Sequence, residues 1–175
     1  MKSFINTRML CKQLKKDTSI IWKREGSTHY ITNRQYMVKN DVLPIDVMTT
    51  LFGRFLRIPE DGETLQMIHG EVKSVDKEFG FTALFRPDQA VIEGVATSYV
   101  KELDREQARM LKFNDQFAMV NNDYFGLSDE KRQVFATSEN LLTPLYFANK
   151  QLLILPYRTT KTVDPIDEII QNFGI

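Results

Sequence analysis

The side chains in this chain best suited to chemistry are basic and aromatic. Lys12, Lys15 and Lys16 crowd one short stretch, Lys23, Arg24 and Arg34 follow, and Trp22 and Tyr30 lie among them. Ammonium and guanidinium groups neutralise phosphates, and a neighbouring aromatic face can stack a base. The set therefore reads as a nucleic-acid surface. The bland alternative is a solvated helix end followed by core aromatics. Charge is also unevenly spread. Lys+Arg and Asp+Glu number 23 each, so the formal net charge is zero. Residues 1–58 nevertheless hold 11 basic against 4 acidic residues, and residues 59–175 hold 12 against 19. A basic amino-terminal third can meet DNA phosphate or the acidic part of a second copy. Equally, the two segments can neutralise each other within one fold.

Catalytic patterns are missing from the sequence. There is no G-x-x-x-x-G-K-[ST] loop, no G-x-G-x-x-G and no G-x-S-x-G elbow. One Cys and two His supply neither a thiolate zinc cluster nor H-E-x-x-H. His69-Gly70-Glu71 matches H-x-E but has no downstream P-C-x-x-C to hold a metal. Carboxylates are plentiful in Glu60-Asp61-Gly62-Glu63, in Glu102, Asp104 and Glu106, and in Asp164, Asp167 and Glu168. They leave a carboxylate-dependent hydrolase or nuclease as an alternative, although capping and solvated roles suit acids in turns and first helical turns. The reading is a non-enzymatic binding protein with no catalytic residues, no metal and no cofactor.

The lone Cys11 cannot form an internal disulfide, which argues for a reducing compartment. Residues 1–8 lack the apolar run of a signal peptide, and no stretch reaches the ~20 apolar residues of a membrane-spanning helix. A cytoplasmic location is the expectation.

Several elements must position these groups. Residues 4–16 carry Ile5, Met9, Leu10 and Leu14 at helical spacing, with Ser3 as the expected N-cap. Residues 19–24 and 28–32 are β-branched and aromatic strands around a three-residue turn, Glu25-Gly26-Ser27. A short strand at 37–38 and a helix at 45–56 behind Pro44 follow. Short strands are expected at 64–68, 80–85 and 90–92. Strands at 95–103 and 109–113 come next, with a helix over 104–113 as the alternative. Residues 117–120 form a strand, and Asn121-Asn122-Asp123 caps a short helix at 124–127. Strands at 134–136, 145–147 and 152–155 follow. The terminal pattern predicts an amphipathic helix whose apolar face is Ile166, Ile169, Ile170 and Phe173. That face would pack on its own sheet, or bind a host protein or a second copy.

The carboxy-terminal half resembles a module of bacterial sliding clamps. The stretches that carry the likeness are Phe117-Ala118-Met119-Val120-Asn121-Asn122-Asp123-Tyr124-Phe125, Thr143-Pro144-Leu145-Tyr146-Phe147 and Leu153-Ile154-Leu155-Pro156-Tyr157-Arg158. The amino-terminal block is similar to the other half-unit, its helix and hairpin leading to Tyr30-Ile31-Thr32-Asn33-Arg34, where clamps end in Thr-Asp-Gly. The likeness spans about half the chain, Asn33-Arg34 replaces the Asp-Gly turn, and the chain is far shorter than a three-domain clamp subunit. The resemblance implies one clamp-like domain with an insertion at 40–95. In size and character the chain also looks like accessory proteins of bacteriophages and mobile elements. The expected architecture is a single α+β domain over residues 1–160, an antiparallel sheet with a few packed helices, followed by the amphipathic helix at 161–175. Its functional reading is a DNA-associated, clamp-like accessory factor of phage or mobile-element origin, or a protein-binding inhibitor of a host factor.

Overall fold

A computed structural model describes residues 4–75 and 82–158. The first helix, α1 (Thr7–Lys16), begins three residues later than the apolar spacing predicts. Asn6, not Ser3, caps it, its Oδ1 accepting from the Met9 amide at 3.0 Å. The cause is a competing pairing. Ile5 bridges Ser128, the Asn6 amide donates to Leu127 O at 2.8 Å, and the Asp129 amide donates to Phe4 O at 2.8 Å. Held extended by that pairing, residues 4–6 cannot enter the helix.

After α1 the chain forms three antiparallel strands, β1 (Ser19–Glu25), β2 (Thr28–Thr32) and β3 (Tyr36–Asn40). The β1–β2 turn is only Gly26-Ser27, one residue tighter than expected. Gly26 takes φ +59, the left-handed position that a two-residue hairpin requires. Helix α2 (Ile45–Phe55) starts behind Pro44 and ends on a left-handed Leu56.

The middle of the chain departs furthest from expectation. Strand β4 (Thr64–Ile68) is followed by an unanticipated β5 (Glu71–Ser74). His69 and Gly70 join them with φ of 49° and 88°, the pattern of a I′ hairpin, so His69-Gly70-Glu71 is a turn entering a strand. The strand expected at 80–85 falls partly outside the described residues, and its described part, Thr82–Leu84, is a 3₁₀ turn. A second 3₁₀ turn, Pro87–Gln89, occupies the approach to the strand expected at 90–92, because proline favours a turn start and donates no ladder hydrogen bond. Residues 104–113 are not a helix. They supply β7 (Gln107–Phe113), paired with the long β6 (Ile92–Glu102), and its core residues Leu111 and Phe113 are two positions apart, as a strand period requires. The chain closes with β8 (Gln116–Asn121), α3 (Asn122–Phe125), β9 (Gln133–Ala136), β10 (Leu145–Phe147) and β11 (Leu152–Ile154).

All these strands form one antiparallel sheet in the order β5-β4-β1-β2-β3-β11-β10-β9-β6-β7-β8. The central six, β1-β2-β3 and β11-β10-β9, mirror one another about the β3–β11 junction, and a helix precedes each triplet in the chain. Residues between β3 and β8 supply α2 and extend the sheet at both flanks. The fold is thus α+β and mostly antiparallel, with three α-helices among the described residues.

The helices cover one face. Leu10 and Leu14 from α1, Val47, Leu51 and Phe55 from α2, and Phe125 from α3 share a core with Trp22, Ile31, Val38, Leu65, Phe147 and Ile154 from the sheet. A smaller cluster on the other face gathers Tyr30, Met37, Tyr146 and Leu153 under Phe85 and Ala90. No helix among the described residues is long and apolar enough to cross a membrane.

Candidate nucleic-acid interface

The fold divides the six predicted basic residues into two groups. Lys12, Lys15 and Lys16 are exposed on α1, two of them in its last turn, where cations complement the helix dipole. Lys16 donates to Asp123 at 3.1 Å, and this hydrogen bond raises the Lys16 pKa above its ordinary value. Arg34 joins this group through the turn that presents it. The Asn33 side chain donates from Nδ2 to Asp17 Oδ1 at 3.2 Å, so the residues after Lys16 and before Arg34 are hydrogen-bonded.

Lys23 and Arg24 lie elsewhere. They sit toward the far end of β1, and at ~3.3 Å per residue Arg24 is about 17 Å from Ser19. Lys23 is only 5% exposed and pairs with Glu25 at 2.6 Å. Arg24 donates from Nε to Gly26 O at 2.8 Å, bracing the hairpin turn.

The aromatics do not serve as stacking platforms. Trp22 is fully buried, edge-on to Phe55, and donates from Nε1 to His29 Nδ1 at 3.1 Å. His29 is thereby an acceptor at Nδ1, and desolvation followed by the charge of Arg24 lowers its pKa. Tyr30 packs edge-on to Phe85 in the smaller core. Each ring is spent on packing against the sheet, and a base has no access to its face.

Arg34 occupies a strained position. Its φ is 76°, in the left-handed region where glycine is the natural occupant. Asn33 Oδ1 accepts from the Gln35 and Tyr36 amides at 2.9 and 3.1 Å, forming an Asx turn. The Asn-Arg pair therefore makes a turn for which Asp-Gly is also chemically suited, with arginine placed where a glycine would be free of strain. The turn is tied to α1 and α3 together. Asp17 accepts from Gln13, Asn33 and Tyr36, while the Tyr124 hydroxyl bonds Asn33 and Gln35.

One contributor escaped the sequence reading. Arg54 of α2 reaches across to the end of α1, donating to Lys15 O at 3.0 Å and to Asp17 O at 2.6 Å. It satisfies helix-end carbonyls and fixes the backbone that carries Lys15 and Lys16. The available signal was an arginine in the last turn of a predicted helix, but its target lies 37 to 39 positions away. Around it Lys15, Lys16, Thr18, Leu56 and His69 line a shallow open depression.

Among the described residues no group of three or more His, Cys, Asp or Glu could hold a metal ion. The arrangement offers fixed positive charge on a rigid helix end beside a turn that projects another cation. The partner-binding set Ile166, Ile169, Ile170 and Phe173 lies outside the described residues. No family model matches this chain, and neither the curated proteins nor the solved structures yield a match.

Proposed function

We propose that the chain is a non-catalytic, DNA-associated accessory factor built as a single clamp-like domain. Its DNA-facing surface would be the end of α1, with Lys12, Lys15 and Lys16, together with the Arg34 turn. The observation that carries this reading is the mirrored sheet order, β1-β2-β3 against β11-β10-β9, with a helix ahead of each triplet. Two half-units joined side by side are what the resemblance to sliding clamps implies. The basic helix end supplies the sequence-independent term of DNA affinity, which is counterion release from phosphates. An origin in a phage or mobile element belongs to the same proposal.

The test is fluorescence anisotropy of a labelled duplex across a salt series. Binding that weakens steeply with salt supports the proposal. Lys15→Ala with Lys16→Ala would flatten the log–log slope by about 2, roughly one per phosphate contact. Arg24→Ala, at the far end of β1, would leave the slope unchanged. No binding at low salt with micromolar protein overturns the reading.

A second reading, a protein-binding module or inhibitor of a host factor, draws on α2. Its buried stripe is Val47, Leu51 and Phe55, yet Ile45 and Leu56 are 76% and 77% exposed and Phe52 is half exposed. Deleting the exposed stripe's side chains without loss of any partner in a pull-down from the native host would count against it.

A further inference from the structure

We infer that α2 is the docking surface for residues 164–174 of a second copy of this chain. The inference makes the protein-binding reading specific, and because the docked acidic residues would lie beside Lys15 and Lys16 it would compete with DNA for those two lysines.

The receiving face comes from the helix itself. Val47, Leu51 and Phe55 recur at every fourth position and face the sheet core. Ile45, Met48 and Phe52 recur at three and four positions along another side of the same helix, Met48 partly packed on the core, and Leu56 follows as the left-handed C-cap. Ile45, Phe52 and Leu56 are exposed there, and Val42 just before the helix is 77% exposed. An ordinary surface helix would carry polar residues on that side. Among the described residues nothing covers Ile45, Phe52 and Leu56.

The character of the cover follows from the rim. Leu56 shares its depression with Lys15, Lys16, Arg54 and His69, and the Asp17 that also lines it is already engaged by Gln13, Asn33 and Tyr36. An apolar stripe with a basic rim selects a segment that is apolar on one side and acidic on the other. Residues 164–174 have that composition. Ile166, Ile169, Ile170 and Phe173 fall at helical spacing, and Asp164, Asp167 and Glu168 are the charged residues of the segment, with no Lys or Arg. Seventeen residues follow Arg158, and Tyr157 anchors the departing chain by donating its amide to Met119 O at 2.8 Å. The five residues 159–163 then span at most about 17 Å, a short tether that suits reciprocal exchange between two adjacent copies. In the docked pair the isoleucines and Phe173 would cover Phe52 and Leu56, with the acidic residues beside Lys15 and Lys16.

The test is a mixing experiment read by sedimentation velocity. The full chain is expected to show a concentration-dependent dimer. A chain ending at Arg158, and separately a full-length Phe52→Glu chain, should each be monomeric and retain the wild-type circular dichroism spectrum. Mixed together, they should associate, because one supplies the tail and the other the intact stripe. A dimer that survives truncation overturns the inference in favour of contact between two α2 helices. Two folded variants that stay monomeric on mixing overturn it as well. A full chain that is monomeric throughout, yet loses a host protein in pull-down on Phe52→Glu, overturns self-docking while keeping the protein-binding reading. Where either variant fails to fold, Lys15→Glu/Lys16→Glu is mixed with Asp167→Lys/Glu168→Lys. Association of that pair alone, with neither partner self-associating, supports the inference, and its absence overturns it.

Discussion

The hydroxyl of Tyr36 donates to Asp17 Oδ2 at 2.9 Å, linking the first residue of β3 to the residue that ends α1. Gln13 and Asn33 donate to the other oxygen of the same carboxylate. Burial, followed by the adjacent Asp17 charge, pushes the Tyr36 phenol well above its usual range. One carboxylate thus holds the helix, the β2–β3 turn and the start of β3 in a fixed relation.

Tyr36→Phe should therefore destabilise the protein by about 1.5–3 kcal/mol in urea titrations, the range for a hydrogen bond to a charged group. Asp17→Ala should cost more, because three donors lose their acceptor together. Equal effects of the two substitutions would show that the carboxylate is not shared.

Acidification should weaken the fold through His29. Its pKa in the folded chain lies below the ordinary 6.5, so the unfolded chain takes up more protons as pH falls past that value. The contribution is complete above pH 6.5 and is lost as pH falls toward the folded-state pKa. His29→Gln retains an acceptor for Trp22 but does not titrate there. Its melting temperature should vary less than wild type between about pH 7 and pH 5. Parallel profiles would remove His29 as the cause.

Arg34 offers a test that separates stability from binding. Arg34→Gly relieves a left-handed residue and should raise stability by up to about 1 kcal/mol. The same change should weaken duplex binding if this turn faces phosphate. A variant that is more stable and binds equally well would assign the strain to no function in DNA binding.

Gly94 is required by contact, not by conformation. A Cβ there would lie 2.5 Å from Phe113 Cδ1 and 2.7 Å from Lys112 O. The ring could shift but the carbonyl belongs to the β6–β7 ladder. Gly94→Ala should cost about 1–3 kcal/mol, measurable by chemical denaturation.

Local chemistry made much of the fold legible. β-branched and aromatic runs marked β1 and β2, Pro44 marked α2, and Asn121 marked α3, which it caps by accepting from the Asp123 amide at 2.8 Å. Features set by distant partners were hidden. Asn6 displaced Ser3 because residues 4–6 pair with residues near Ser128, and β5 is a short, largely polar strand with little apolar signal. The basic residues looked like one cluster because they are close in sequence. Strand direction carries Lys23 and Arg24 away, while the Asn33–Asp17 hydrogen bond brings Arg34 back toward α1. Trp22 and Tyr30 looked like stacking residues because composition does not reveal which face of a strand is covered.

The central junction has a consequence for biosynthesis. β3 completes its pairing with β11, matching Met37 to Leu153 and Tyr36 to Ile154. A growing chain therefore carries β3 with one unpaired edge until nearly all of the described sequence has left the ribosome. Open strand edges template aggregation, and long-range closures are slow. Emergence of residues 152–154 is accordingly the step that seals the sheet, and ribosome-bound chains stalled before it are the species most in need of chaperone cover.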